Sequence, residues 1–85
     1  EKFNFSSSAK DLLITSQLRT SMIVNKDISA ANYQIDTHKK KIYVYGIAIT
    51  EEERKLVIQE AKEILDVEDV ITSILLVEEL RVQKN

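Results

Sequence analysis

Ile42-Tyr43-Val44-Tyr45-Gly46-Ile47-Ala48, followed after Ile49 by Thr50-Glu51-Glu52-Glu53, is the stretch that decides the fold. Its first seven residues are rich in β-branched and aromatic types, which suit a pleated, half-buried surface. The next four match a capping box, in which the threonine hydroxyl serves the Glu53 amide and the Glu53 carboxylate reaches back to the Thr50 amide. A strand therefore runs directly into a helix. Upstream, Tyr33, Ile35 and Thr37 alternate with Gln34, Asp36 and His38 as a strand does, and four polar residues, His38 to Lys41, separate the two strands. The pair reads as an antiparallel hairpin, although its turn lacks the Asn-Gly or Asp-Gly signature.

Further out, Ile14, Leu18 and Met22 recur at i, i+4 and i+8, which stacks them on one face of a helix starting near Ala9. Ser8 stands as its N-cap, with Asp11 three residues on, where a carboxylate suits the helix dipole. Downstream of the capping box, Val57, Ala61, Ile64 and Leu65 give the second helix an apolar face that ends near Leu65. From Val67 onward Val70, Thr72, Ile74 and Leu76 alternate with Ile71, Ser73, Leu75 and Val77 as a third strand. The order is α-β-β-α-β, an α+β fold with two helices packed on one face of a three-stranded mixed sheet. The second strand, second helix and third strand form a crossover unit expected to be right-handed. One domain spans residues 9–77, with 1–8 and 78–85 as flexible ends; strand order within the sheet is left open.

Composition narrows the functions. With 85 residues the chain has room for one small domain, 44% hydrophobic and 31% charged as ordinary globular domains are. There is no cysteine, one histidine and one glycine. Thiolate metal sites and cysteine nucleophiles are excluded, and so are glycine-rich phosphate loops. His38 lies at the hairpin turn without a second imidazole or carboxylate cluster, so neither a triad nor a metal site is expected there. Glu51 to Glu53 are explained by helix capping, and Gly46 by a close approach of backbone or helix to its strand. No enzyme activity and no cofactor are expected. Residues 1–45 hold seven Lys/Arg against four Asp/Glu, and residues 46–85 five against ten, for a net charge of −2. A sequence pI near 5.4 argues against nucleic acid, and a KH-like RNA module would need a Gly-x-x-Gly clamp that is absent.

Two apolar surpluses remain. At about 100° per residue, Leu12 and Leu13 lie roughly 120° and 140° from the Ile14, Leu18, Met22 seam on opposite sides of it, and Ile23 and Val24 share those flanks. Either a neighbouring element covers a flank, or the helix meets a membrane interface or partner groove. Lys10 and Arg19 would lie near lipid headgroups, and Lys39, Lys40 and Lys41 at the hairpin tip carry further positive charge. The second surplus is on the sheet. If Ile35, Ile42, Val44, Ile74 and Leu76 point inward, Tyr43, Tyr45, Ile71, Leu75 and Val77 point outward, where an open sheet should be polar.

In element order and in particular residues the chain resembles the BON domain, a module of bacterial envelope proteins named for osmotically induced and nodulation proteins. The marks are Asp11-x-x-Ile14-Thr15 with Leu18 and Met22, then Ile42-x-Val44-x-Gly46, Ala61-x-x-Ile64-x-x-Val67-x-x-Val70 and Ile74-x-Leu76, spanning about Ala9 to Val77. Asp11-Leu12-Leu13-Ile14-Thr15 is most similar to the second domain of dual BON-domain outer-membrane lipoproteins. That resemblance implies a periplasmic, non-catalytic module at the inner face of the outer membrane, which binds anionic phospholipid through its first helix and supports envelope integrity, with osmotic stress as a setting. Leu13 occupies the membrane-inserting position. A sister BON domain, another envelope protein or a second copy would be the partner of the outer sheet face. Lys39 and Lys40 replace the usual turn glycine, and Asp66 the glycine before Val67. Glu1 is not a natural start, so the chain is expected to be a segment of a longer polypeptide, and the sequence carries no targeting signal of its own.

Overall fold

The structure, a computed structural model, describes residues 8–77. Its elements are α1 (Ala9–Val24), a 3-10 turn (Ala30–Asn32), β1 (Tyr33–His38), β2 (Lys41–Ala48), α2 (Glu51–Lys62) and β3 (Asp69–Leu76). The sheet order, left open by the sequence, is β1-β2-β3, with β2 central. β1 and β2 pair antiparallel with His38 opposite Lys41, and β2 and β3 pair parallel with Ile42 beside Val70 and Ala48 beside Leu76. The sheet is therefore mixed, and α2 makes the crossover.

The core is one cluster. Ile14, Leu18 and Met22 from α1 and Val57 and Ala61 from α2 join Tyr33, Ile35, Ile42, Val44 and Ala48, the alternate residues of one sheet face. Ile74 and Leu76 lie against this cluster half-buried, and none of the residues of β3 is fully buried. Thr15 and Thr37 join α1 to β1 through a hydroxyl–hydroxyl hydrogen bond of 2.6 Å. Gly46 permits close packing of strand on strand: a Cβ there would lie 2.9 Å from Tyr33 Cα and crowd the Asn32 carbonyl. The approach is made by the neighbouring strand and the 3-10 turn before it, not by a helix.

Both helices begin alike. Ser8 Oγ accepts the Asp11 amide at 3.1 Å, and Thr50 Oγ1 accepts the Glu53 amide at 3.1 Å. In each case the acidic side chain three residues past the cap is buried. The Glu53 carboxylate does not close the expected box on the Thr50 amide. Its Oε1 accepts from the Ile49 amide and its Oε2 from the Ser29 amide, both at 2.9 Å, so it ties the loop before β1 to the start of α2. The Tyr33 hydroxyl is enclosed beside it, and burial followed by the Glu53 charge raises that hydroxyl's pKa above its ordinary value.

Two boundaries depart from the sequence reading. Helix α2 ends at Lys62, and Leu65 is 80% exposed instead of completing the apolar face. Asp66 adopts a left-handed conformation, φ 69°, which turns the chain toward β3. Strand β3 ends at Leu76, so Val77 falls just past the sheet. Of the expected flexible ends 1–8 and 78–85, residues 1–7 and 78–85 lie outside the described residues, whereas Ser8 is tied to α1 as its N-cap.

Candidate functional site

Asp11 decides what α1 shows to solvent. It is the helix's one acidic residue, only 4% exposed, and its two carboxylate oxygens accept the amides of Lys39 and Lys40, each at 2.9 Å. Those two residues are the hairpin turn, with φ of 54° and 66°, the positive values that a two-residue type I′ hairpin loop requires. Lys41, placed at the tip by the sequence, instead pairs with His38 in the ladder. The Lys40 amide, with those of Lys39 and Ser8, holds the Asp11 carboxyl below its ordinary pKa against the opposing effect of burial. The first turn of α1 is thereby fastened to the hairpin.

With Asp11 turned inward, the exposed surface of α1 carries no carboxylate. It presents Leu12, Leu13, Ile23 and Val24, exposed by 60%, 54%, 64% and 72%, with Ser16, Gln17 and Thr20 between them. Neither α2 nor the sheet edge covers either flank. The only charges on this surface are Lys10 and Arg19. Lys10 Nζ lies 3.2 Å from Asp66 Oδ2, both side chains half-exposed, a contact of the kind worth at most about 1 kcal/mol and readily exchanged. Arg19 has no ion-pair partner among the described residues.

The second predicted face assembles as well. The register sets Tyr43 beside Ile71, Tyr45 beside Ser73 and Ile47 beside Leu75, alternating with the core residues Ile42, Val44 and Ala48. Tyr45, Ile47, Ile71 and Leu75 are exposed and Tyr43 is half-buried. Gln34, Asp36 and His38 complete this face on β1. Ile47 was missed in the sequence, although its position two residues after Tyr45 on the same strand was signal enough. Val77 lies beyond the strand and is half-buried.

Among the described residues no group of three or more His, Asp or Glu side chains is placed to hold a metal ion. No described helix is long and apolar enough to cross a membrane. No protein-family model matches the chain, and no curated protein matches it.

Proposed function

We propose that this domain is a non-catalytic module that docks on an anionic phospholipid surface through the outer face of α1. The observation that carries the reading is the combination just described: four exposed large apolar side chains on a surface whose only charges are cationic, because Asp11 is spent on the hairpin turn. An interfacial helix needs that combination, with apolar residues entering the acyl boundary and basic ones meeting headgroups. Each inserted leucine contributes roughly 1.5–3 kcal/mol and each basic residue near an anionic surface about 1 kcal/mol, before ordering costs. The expected binding is weak and salt-sensitive. The resemblance to the BON domain adds a setting to the proposal, the periplasm at the inner face of the outer membrane and a contribution to envelope integrity.

Co-sedimentation with phosphatidylglycerol-containing vesicles tests the reading. Wild type should pellet, and Leu13→Asp should abolish pelleting without lowering the melting temperature, because Leu13 is exposed. Pelleting that survives the substitution refutes docking through α1. A second reading is favoured by the strand register: Tyr43, Tyr45, Ile47, Ile71 and Leu75 form one apolar patch suited to a sister domain, another envelope protein or a second copy.

A further inference from the structure

Beside the C-terminal half of α1 lies an apolar cleft of ≈ 240 Å³, lined by Arg19, Met22 and Ile23 of the helix, Ala30 and Ala31 of the 3-10 turn and Ile35 of β1. We infer that this cleft receives one acyl chain of an anionic phospholipid while Arg19 holds the phosphate; the inference rests on the reading of α1 as the lipid-docking face. Three features point there. Arg19 is the one charged lining residue, no carboxylate lines the cleft, and Arg19 has no ion-pair partner among the described residues. A guanidinium matches phosphate oxygens bidentately.

The second feature is size and lining. Pockets for whole small ligands run to about 300–1,000 Å³ and orient them with several placed polar groups. This cleft is smaller, and apart from Arg19 its lining side chains offer no polar group beyond the weakly accepting Met22 thioether. It suits an alkyl segment and not a polar metabolite. The third feature is continuity. At about 100° per residue, Arg19, Leu12 and Ile23 fall within roughly 40° of one another around α1, and Ile23 belongs to both the exposed face and the cleft. A lipid whose bilayer meets α1 reaches the cleft without crossing the domain.

The test is a titration of the wild-type protein with dihexanoyl phosphatidylglycerol below its critical micelle concentration, followed by amide NMR. Saturable shifts are expected at Ala30, Ala31 and Ile35. Arg19→Gln should weaken the affinity roughly tenfold, the loss expected of one charge-assisted contact. Ala31→Trp, which fills the cleft from an exposed position off the helix, should remove the shifts while the spectrum stays dispersed. Inorganic phosphate at the same concentrations should leave the three amides unmoved. Absence of wild-type shifts at those amides overturns the inference, as does equal perturbation by inorganic phosphate. Vesicle pelleting that is sensitive to Leu13→Asp, together with a silent cleft, leaves the docking reading intact and discards the cleft. A responsive cleft without pelleting does the reverse.

Discussion

A single carboxylate links the fold to its candidate site at the level of residues. Asp11 is held ionised by two turn amides, so its folded-state pKa lies below its unfolded value. A depressed carboxylate contributes stability that is fully present above the unfolded pKa, about 3.9 for aspartate, and is lost as pH falls through the folded value. Asp11→Asn puts an amide NH2 against one of those turn amides. Its melting temperature should therefore fall below that of wild type near neutral pH, and the gap should close as the pH drops below about 4. A gap that stays constant through that window would refute the assignment. The sequence marked Asp11 as a helix-dipole residue and as part of the BON resemblance but not as a partner of the turn, because a bond to amides 28 and 29 positions away leaves no trace in periodicity.

The elements themselves were legible where local pattern governs. Alternation marked β1 and β3, β-branched and aromatic richness marked β2, and the spacings Ser8 to Asp11 and Thr50 to Glu53 marked both helix starts. What escaped is non-local. Glu53 leaves its own cap to bind Ser29, 24 residues away. The turn lacks glycine, and Asp11 accepts both of its amides. Lys39 and Lys40, which stand in place of the turn glycine of the BON resemblance, and Asp66, in place of its glycine before Val67, are the three left-handed non-glycine residues among the described ones. Each such residue costs of order 1–2 kcal/mol, partly offset by the greater unfolded-state entropy that glycine would bring. Lys39→Asn combined with Lys40→Gly, the pair preferred in type I′ turns, should gain about 1 kcal/mol, or about 4–8 °C in melting temperature for a domain of this size. Thermal denaturation checks this, and an unchanged or lowered midpoint contradicts it.

For the molecule as a whole, α1 and α2 share one core with the inward residues of β1 and β2, and the residues that alternate with these leave an unusually apolar sheet face. If that outer face joins two copies, light scattering should give twice the monomer mass for wild type and the monomer mass for Tyr45→Glu. Monomers in both cases exclude self-association and leave a different chain as the partner. Leu75, 49% exposed on the edge strand, would gain most from such cover. The two candidate surfaces do not compete, because they look in opposite directions. A molecule lying with α1 on a bilayer would hold its tyrosines toward the aqueous side, oriented by a helix that the Asp11 fastening keeps from swivelling on the hairpin. Such a domain would act as a tile: one side would adhere, and the other would become a new surface laid over the lipid, onto which further protein could be built.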